Sequence, residues 1–391
     1  MKSKHVIIGC GNAGFRAALT LREIDKRADI TLITDEKYPP YCRCLLTYYL
    51  ENRVDERFLF EENNNLISKN NIVFLKDTKI AELEYSNGTL ITEKGKRISF
   101  DKLLIATGGA PSKPTFDFED GSNVFTLRKF DDAKTIKQSF KKGDTVVLEG
   151  GGLVSLKTLL ALYEIGVKPV WIVKSDYILS FLVDAQCAEL ITKILIEKEI
   201  EIYTSEAVKN VSKRKNSVIV TTDRNREIHC KGVIVGKGVK SSVISGEKDF
   251  EFGEGYLVSS FLETNLKNVY AAGDCIVCND LAHNEKWRIP LWPLAGTQGK
   301  IAGKNMIFGN KIKYLGDIPV NSFSVFDNFI LTGGKKRIFS EERNDFYEKI
   351  ESRGNVFKKF IFDSNGKLKG YFLMNDIRNA GKYYYEILAL K

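Results

Sequence analysis

The sequence predicts an α/β fold in which two strand–turn–helix units of the doubly wound kind are followed by a smaller α+β unit. Three observations carry this prediction. A short apolar run near the N-terminus ends in a glycine pattern, the same arrangement recurs farther along the chain, and beyond about residue 313 short strands alternate with turns. A chain of 391 residues is too long for a single ordinary domain. At about 150 residues per domain, the length suggests two or three domains.

The first unit begins with the apolar run 5–8 and continues through Gly9-Cys10-Gly11-Asn12-Ala13-Gly14 into a helix-forming stretch. In a βαβ unit Gly9 permits the tight turn, Gly11 lets the backbone approach a pyrophosphate, and Gly14 allows the helix to pack closely on the strand. The helix N-terminus supplies unpaired N–H groups to the phosphates. A second strand, 30–34, ends at Asp35-Glu36, near the roughly 20-residue spacing at which an acidic side chain holds a ribose hydroxyl. We therefore predict that this turn binds a nucleotide.

The remaining predicted elements follow in chain order. They are a proline-punctuated loop leading into an apolar helix-like stretch (38–50), a buried strand that ends in small residues (100–111), a second strand–glycine–helix unit (144–157) with its second strand (168–174), later strands (218–222 and 232–238), a strand that ends in glycine and a carboxylate (268–274), and a helix opened by proline (289–303).

Composition narrows the class of protein. Hydrophobic residues make up 43% and charged residues 28%, as in a soluble globular protein, and no run approaches the roughly 18 consecutive apolar residues of a membrane span. The first strand begins a few residues after Met1, so we expect no signal or transit peptide and take the cytoplasm as the default compartment. Seven cysteines in such a chain favour thiols, metal ligands or redox chemistry over a disulfide scaffold.

The net charge of +9, with 59 Lys and Arg residues, is compatible with a nucleic acid, an anionic membrane, an anionic cofactor or an acidic protein as partner. The lysines are scattered rather than grouped in blocks. We therefore favour a solvated surface that attracts dinucleotides and small acidic proteins, and we expect neither nucleic acid nor a membrane as a partner.

Four motifs occur in an order and spacing that resemble the pyridine nucleotide–disulfide oxidoreductases, which are flavoproteins with two dinucleotide domains. They are Gly9-x-Gly11-x-x-Gly14, Ala106-Thr107-Gly108, Gly150-x-Gly152 and Ala272-Gly273-Asp274. The resemblance covers about residues 4–310. Within it, Tyr41-Cys42-Arg43-Cys44-Leu45-Leu46 and Leu291-Trp292-Pro293-Leu294-Ala295-x-x-Gln298-Gly299 are similar to the branch of NADH:rubredoxin reductases and of the flavin-binding part of assimilatory nitrite reductases.

The resemblance implies two Rossmann-like domains, one for FAD and one for NAD(P), and a C-terminal α+β interface domain. The FAD domain would comprise residues 1–115 and 243–312, the NAD(P) domain residues 116–242, and the interface domain residues 313–391. The residues implied to surround a non-covalent FAD are Gly9, Gly11, Asn12, Ala13, Gly14, Asp35, Glu36, Arg43, Ile80, Ala106, Thr107, Gly108, Gly273, Asp274 and Trp292. Asp35 or Glu36 would hold the adenosine ribose, Asp274 the ribityl or phosphate region, and Arg43 would lie near the isoalloxazine.

The residues implied to bind NAD(P) are Gly150, Gly152, Ser155, Lys157 and Lys174, and three of them depart from the family pattern. Ser155 replaces a third glycine, and Lys157 replaces a glutamate that approaches the nicotinamide end. Lys174 replaces an acidic residue that accepts the 2′-OH of NAD, and a cation there is suited to a 2′-phosphate. Either the domain prefers NADPH or it has lost efficient nicotinamide binding and serves as a scaffold. We favour NADPH.

The cysteines suggest two alternative chemical roles, a catalytic thiol or a metal site. Cys44 stands where related NADH peroxidases and coenzyme A–disulfide reductases carry a single redox cysteine beside the flavin, so it is a candidate catalytic nucleophile with Arg43 lowering its pKa. Cys275-x-x-Cys278 follows Asp274, and with Cys42 and Cys44 it would offer four thiols for a metal or an iron–sulfur cluster if they converged. Separate buried thiols are the simpler interpretation, with no metal.

These observations predict an FAD-dependent oxidoreductase that takes a hydride from NADH or NADPH and passes electrons to an acceptor. A small, acidic iron–sulfur carrier of the rubredoxin or ferredoxin type is the acceptor that we expect, because the positive charge of this chain would steer it. The alternatives are a disulfide, peroxide or oxygen reductase that uses Cys44, or an electron-transfer flavoprotein subunit of a larger complex that does not use nicotinamide itself. A homodimer is a further possibility for the assembly.

Overall fold

A computed structural model of the protein describes residues 3–244 and 250–389. Within these residues the chain forms 27 strands and eight α-helices.

The elements up to residue 118 are β1 (Lys4–Ile8), α1 (Asn12–Ile24), β2 (Asp29–Ile33), α2 (Leu46–Leu50), α3 (Glu56–Lys69), β3 (Val73–Leu75), β4 (Ile80–Glu84), β5 (Thr89–Thr92), β6 (Arg97–Ser99), β7 (Lys102–Ile105), β8 (Gly109–Pro111) and β9 (Asp117–Phe118). The next group comprises β10 (Val124–Thr126), α4 (Phe130–Ser139), β11 (Thr145–Glu149), α5 (Leu153–Glu164), β12 (Lys168–Val173), α6 (Ala185–Ile196), β13 (Glu201–Thr204), β14 (Val208–Lys213), β15 (Val218–Thr222), β16 (Glu227–Cys230), β17 (Gly232–Val235) and β18 (Val239–Ser241). The last group comprises β19 (Tyr256–Leu257), β20 (Val269–Ala271), β21 (Ile276–Asp280), β22 (Glu285–Trp287), α7 (Trp292–Phe308), β23 (Val320–Val325), β24 (Asn328–Gly334), β25 (Phe346–Arg353), β26 (Val356–Asp363), β27 (Leu368–Met374) and α8 (Ala380–Leu388).

A five-stranded parallel sheet forms the first unit, with the strand order β20-β7-β1-β2-β3. Its strands are short and apolar because a parallel sheet is covered on both faces, and Ile7, Leu32 and Leu104 are fully buried. The strand order reverses between β1 and β7, which opens a crevice at the carboxyl ends of these two strands. The edge strand β20 comes from a distant part of the chain, so two separate segments build this sheet.

The second unit repeats the first. Its parallel sheet has the order β10-β17-β11-β12-β13, with β11 in the position of β1, α5 in the position of α1 and β17 in the position of β7. The register makes the correspondence exact at residue level, because Ile8 pairs with Ile105 in the first sheet and Glu149 with Val235 in the second. A second crevice therefore opens between β11 and β17.

A two-stranded antiparallel ribbon connects the two units, with Gly109 opposite Ser241. At the same crossing the Thr107 hydroxyl donates a hydrogen bond to the carbonyl of Ser242 (2.5 Å), and the Ser242 N–H donates to the carbonyl of Gly108 (2.9 Å). The segment that leaves the first unit and the segment that returns to it are therefore hydrogen-bonded to each other beside the first crevice.

The last unit is an antiparallel sheet of order β23-β24-β27-β26-β25 that carries α8. Lys359 on β26 is buried and forms ion pairs with Glu348 (2.8 Å) and with Asp184, the N-cap residue of α6, which connects this sheet to the second unit. The predicted fold class, two Rossmann-like units with a C-terminal α+β unit, is confirmed. Among the helices of the described residues, none is both long and apolar enough to span a membrane.

Candidate functional site

The two crevices begin at equivalent glycine turns. Gly9 and Gly150 both have positive φ angles, +101° and +117°, which L side chains rarely adopt. A Cβ atom on Gly9 would lie closer than 3.0 Å to the carbonyl of Ala106, and one on Gly150 closer than 3.0 Å to the carbonyl of Gly236. Both turns therefore need glycine for the fold itself.

Gly11 and Gly152 are different, because the polypeptide does not require glycine at either position. Both have extended backbone, with φ and ψ of −65° and −174° for Gly11 and −93° and 174° for Gly152. No atom lies within 4 Å of a Cβ built on Gly11, and only the Gly236 carbonyl, at 4.0 Å, lies near one on Gly152. Each is the N-cap residue of its helix without a side-chain cap, so helix N–H groups face the open space. The residues present thus fit the close approach of a pyrophosphate in both crevices.

Ser155 shows how the second unit accommodates its departure from the glycine pattern. A Cβ on Gly14 would lie closer than 3.0 Å to the Gly9 carbonyl, whereas the Ser155 side chain packs against Gly236. The first sheet has Ala106 where the second has Gly236, and a Cβ on Gly236 would collide with the Ser155 hydroxyl. The Ser155 side chain therefore fills the space that a side chain at position 236, directly after β17, would occupy.

The two carboxylates after β2 lie in different surroundings. Glu36 is 6% exposed, and it accepts hydrogen bonds from the Tyr41 hydroxyl (2.7 Å) and from Arg43 Nη2 (2.6 Å). Arg43 also donates to the carbonyl of Arg128 (2.8 Å), and burial raises the pKa of Tyr41. This network fixes the loop that carries Cys42 and Cys44. Sequence reasoning assigned Glu36 and Arg43 to cofactor binding and missed this anchoring role.

Asp35 is the more open of the two carboxylates. It accepts a hydrogen bond from Lys129 Nζ (2.7 Å), and nearly half of each side chain is exposed. It retains lone pairs that face solvent at the carboxyl end of β2, where an adenosine ribose would lie.

Asp274 and Arg128 form an ion pair at the first crevice. Arg128 Nη2 lies 2.9 Å from Asp274 Oδ2, and both side chains are mostly buried. Nη2 would also lie 3.4 Å from a Cβ on Gly108. Sequence reasoning did not select Arg128, because it stands in an ordinary polar stretch after β10 and only the fold brings it to the strand end that carries Asp274.

The other predicted FAD residues lie around the same crevice or in its supporting core. The Asn12 amide donates to the carbonyl of Trp292 (2.6 Å), which joins the start of α1 to the start of α7. The Gly273 N–H donates to the Gln298 side chain (2.8 Å). Ala13 and Ala106 are buried beside the turn, and Ile80 is buried in the apolar core of the first unit, so its side chain serves packing.

Cys44 is the exposed thiol at this crevice. A hydrogen bond from Cys42 lowers the pKa of Cys44 to about 7, and the positive charges of Lys157 and Arg128 act in the same direction, whereas burial and Asp274 oppose them. Arg43, the neighbour expected from the sequence to have this effect, is engaged with Glu36 instead. Lys157 lies on α5 and Arg128 follows β10, so both positive charges that act on Cys44 come from the second unit, whereas Asp274 belongs to the first.

The four thiols do not converge, which corrects the alternative of a metal or iron–sulfur site. Cys275 is fully buried, and its Sγ contacts the carbonyls of Ala272 (3.3 Å) and Ile105 (3.5 Å). Cys278 contacts Gln298 Nε2 at 3.7 Å, and burial raises the pKa of each of these two thiols to about 11. Alternate positions of a strand face opposite sides, so a CxxC pair at the start of β21 does not share a face. Across residues 3–244 and 250–389, no group of three His, Cys, Asp or Glu side chains is placed to hold a metal ion.

Lys174 lies at the carboxyl end of β12 and is exposed. The adjacent Ser175 hydroxyl would lie 3.5 Å from a Cβ on Gly151, so this strand end borders the second glycine turn. Ser175 donates to the carbonyl of Tyr177 (3.0 Å), which shapes the loop beside Lys174. The lysine therefore lies at the strand end beside the second glycine turn, where the adenosine end of a dinucleotide would lie if one were bound.

Comparison with known proteins agrees with this geometry. The family model described as "Pyridine nucleotide-disulphide oxidoreductase" matches residues 3–299. The NADH-dependent phenylglyoxylate dehydrogenase subunit epsilon of Aromatoleum evansii is 23% identical over 382 residues, which are 97% of this chain and 90% of that protein. The NADH-rubredoxin oxidoreductase of Clostridium acetobutylicum is 27% identical over 356 residues, 89% of this chain and 87% of that one.

Among solved structures, a NAD-dependent persulfide reductase from A. fulgidus superimposes with a TM-score of 0.90 at 24% identity, covering 99% of this chain and 77% of that one. The protein therefore belongs to the pyridine nucleotide–disulphide oxidoreductase family. It is an NAD(P)H oxidoreductase, and the family's cofactors are FAD and NAD(P)H.

Proposed function

We propose that this protein transfers electrons from NADPH, through FAD in the first crevice, to a small acidic iron–sulfur protein in the cytoplasm. The binding of two dinucleotides is supported by Gly11 and Gly152. Both glycines leave room for a pyrophosphate at positions where the fold itself does not require glycine. The acceptor is supported by the net charge of +9 and by the relative named as an NADH-rubredoxin oxidoreductase.

The chain's own residues bind and orient the two cofactors. Gly11 and the N-terminus of α1 receive the FAD pyrophosphate, Asp35 accepts from the adenosine ribose, and Asp274 with Arg128 sets the charge at the flavin end. Gly152 and α5 receive the second dinucleotide. Bound FAD supplies the chemistry that accepts a hydride and releases single electrons.

The rival function is an electron-transfer subunit that does not use nicotinamide. Lys157 and Lys174 motivate it. The relative from Aromatoleum evansii is named as one subunit of an NADH-dependent dehydrogenase, which supports membership of a larger complex but not the loss of nicotinamide use. The test is an anaerobic absorbance titration of the purified flavoprotein with NADPH and, on a fresh sample, with NADH. Rapid bleaching of the flavin bands is the expected result. A flavin that dithionite reduces but neither nicotinamide bleaches would establish the subunit role instead.

The nicotinamide preference depends on Lys174. Replacing Lys174 with glutamate places a carboxylate beside the 2′-position, so we expect the ratio of kcat/KM for NADPH to that for NADH to fall by about tenfold or more, which corresponds to about 1.4 kcal/mol. Lys168→Glu is the matched control, because Lys168 is exposed at the opposite end of the same strand. A ratio that moves equally in both variants would show a general charge effect and contradict the assignment.

A second candidate acceptor is a small disulfide or peroxide that reacts at Cys44. The exposed thiol of lowered pKa favours it. Cys44→Ala separates the two acceptors, because turnover with reduced nicotinamide and rubredoxin would continue while turnover with a disulfide would be lost.

A further inference from the structure

An open cavity of about 420 Å³ lies at the amino end of the second parallel sheet. Four segments form it: the turn before β10, the connection from α4 to β11, the hairpin between β14 and β15, and the residue before β17. Asp144 and Gly150 lie at opposite ends of β11, six positions apart, so at about 3.3 Å per residue the cavity is roughly 20 Å from the second glycine turn. It is therefore separate from the second crevice.

The lining of this cavity is strongly positive. It contains a single carboxylate, Asp144, and five cationic side chains, which are those of Lys141, Lys213, Arg214, Lys215 and Lys231. Within residues 3–244 and 250–389, no ion pair joins any of these five cations to a carboxylate, whereas Lys237 of the same unit lies 2.7 Å from Glu149. Like charges that are gathered without partners repel one another, so the cavity is suited to a ligand with several negative charges.

Hydrogen bonds to the backbone hold the walls of the cavity in place. The Asn123 amide donates to the carbonyl of Lys231 (2.8 Å), and Lys231 Nζ donates to the carbonyl of Asn216 (2.9 Å). The Arg214 N–H donates to the carbonyl of Ser217 (2.8 Å), which closes the hairpin turn. Only one of the three N–H groups of the Lys231 ammonium is used in this way, so two remain for a ligand.

Lys213 brings the hairpin and the opposite wall together. Gly121, in the turn before β10, has a φ angle of +74°, and a Cβ atom built on it would lie 2.7 Å from Lys213 Nζ. The ammonium group therefore lies against the backbone of the opposite wall, in space that a side chain at position 121 would occupy. Positive charge from the hairpin is thus presented to the same space as the charge of Lys141 and Lys231.

The chemistry of the lining indicates the class of ligand. Among the described residues that line the cavity, Val218 is the one large apolar side chain and none is aromatic, so a base has no ring on which to stack. Ammonium and guanidinium groups form strong, charge-assisted hydrogen bonds with phosphate oxygens. The volume falls within the range of about 300–1,000 Å³ that is usual for small ligands, and it is far too small for a carrier protein.

We infer that this cavity binds an oligophosphate, a chain of three or more linked phosphate groups, through the cations of the β14–β15 hairpin and of the segments that precede β11 and β17. Inorganic oligophosphate presents such a chain, and so does a nucleoside triphosphate whose base stays in solvent. The inference goes beyond the proposed function and does not depend on it, because no residue of either crevice takes part in this site.

Isothermal titration calorimetry with sodium tripolyphosphate tests the site. The full-length flavoprotein is titrated in the presence of saturating NADP⁺, which occupies the second crevice. We expect one tripolyphosphate per chain, and a dissociation constant that rises by about tenfold or more in the double variant Lys213→Gln/Lys215→Gln. Lys209→Gln is the matched control, because Lys209 is exposed on the same strand β14 but does not line the cavity. No binding to the wild type, or an equal loss in the control, would overturn the inference.

Two further ligands define what is recognised. ATP that binds more tightly than tripolyphosphate, with the same dependence on Lys213 and Lys215, would identify a nucleoside triphosphate as the source of the chain, and weaker binding of ATP would identify inorganic oligophosphate. Citrate carries several negative charges without phosphate. If citrate bound as tightly as tripolyphosphate, the cavity would attract anions in general, and the assignment to oligophosphate would be wrong.

The unfolding temperature separates ligand binding from a structural role. Removing one of several like charges relieves repulsion, so Lys213→Gln should keep or raise the unfolding temperature of the protein without tripolyphosphate. Tripolyphosphate should raise the unfolding temperature of the wild type and of Lys209→Gln, and should raise that of Lys213→Gln by less. A Lys213→Gln variant that unfolds at a lower temperature and responds to tripolyphosphate as the wild type does would show that this lysine supports the fold instead.

Discussion

At the scale of single residues, the glycines of the two turns divide into those that the fold needs and those that a ligand needs. Gly9 and Gly14 would each place a Cβ atom closer than 3.0 Å to backbone, so they are required whether or not a cofactor is bound. Gly11 would not, and neither would Gly152. A glycine pattern in the sequence therefore combines two different physical requirements, and only the structure separates them.

The Gly11→Ala variant tests this division. We expect it to raise the dissociation constant for FAD by about tenfold or more, because the methyl group occupies the path of the pyrophosphate, while the free energy of unfolding of the deflavinated protein stays within about 0.5 kcal/mol of wild type. Flavin fluorescence titration and urea denaturation measure the two quantities. Gly14→Ala is the comparison and should lower stability before any flavin is added. An alanine at position 11 that unfolds the protein would show that the fold needs this glycine too.

Part of the candidate site could be predicted from the residue types in the sequence. Cys44 was selected from the family resemblance, and the charges that lower its pKa, Lys157 and Arg128, come from distant parts of the chain. The glycine turns were accessible from local patterns, because each depends on neighbours within a few positions. Arg128 and Gly236 were not, since each acts on a residue from another part of the chain: Arg128 on Asp274, and Gly236 on Ser155. Contacts of this kind carry no local signal in a single sequence.

At the scale of elements, the packing of α7 against α1 determines the shape of the first crevice. Gly296, Gly299 and Gly303 recur on one side of α7, and a Cβ on Gly299 would lie closer than 3.0 Å to the Ala13 backbone. A Cβ on Gly303 would lie 3.0 Å from the Ala17 carbonyl. The two helices can approach this closely only because these positions have no side chain.

Gly299→Ala should therefore separate the helices or strain them, and we expect a loss of about 1–3 kcal/mol in the free energy of unfolding together with weaker FAD retention. Urea denaturation and the ratio of flavin to protein absorbance measure the two effects. Gly381→Ala is the control, because Gly381 lies within α8 with nothing near its Cβ position. That variant should be neutral or slightly stabilising. Equal behaviour of the two variants would show that α7 and α1 do not depend on this contact.

The elements themselves were largely predictable, and their mutual orientation was not. The glycine pattern and the apolar run identified β1 and α1, and the proline of the 289–303 segment marked a helix that begins at Trp292 with Pro293 in its first turn. The CxxC segment shows the opposite case. Its cysteines were considered together because they are close in sequence, but the strand that begins at Ile276 places them in different surroundings.

At the scale of the whole molecule, the positive charge extends beyond the crevices. Besides Lys157 and Arg128 beside Cys44, an open cavity of about 420 Å³ at the amino end of β11 is lined by Lys141, Lys213, Arg214, Lys215 and Lys231, with Asp144 as its carboxylate. Charge distributed in this way produces a long-range attraction for anionic proteins rather than a single binding contact.

The salt dependence of turnover tests whether the positive electrostatic field of the protein attracts the proposed acceptor. Counterions shorten the Debye length from roughly 10 Å at 0.1 M to roughly 3 Å at 1 M, so kcat/KM for an acidic rubredoxin should fall by about tenfold or more over that range. Reduction of an uncharged quinone by the same enzyme should change little, and it controls for effects of salt on nicotinamide binding. If kcat/KM fell equally with salt for rubredoxin and for the quinone, the net charge would no longer support an iron–sulfur partner. A steep curve for the carrier alone would mean that encounter with an acidic protein limits the reaction, as a net charge of +9 predicts.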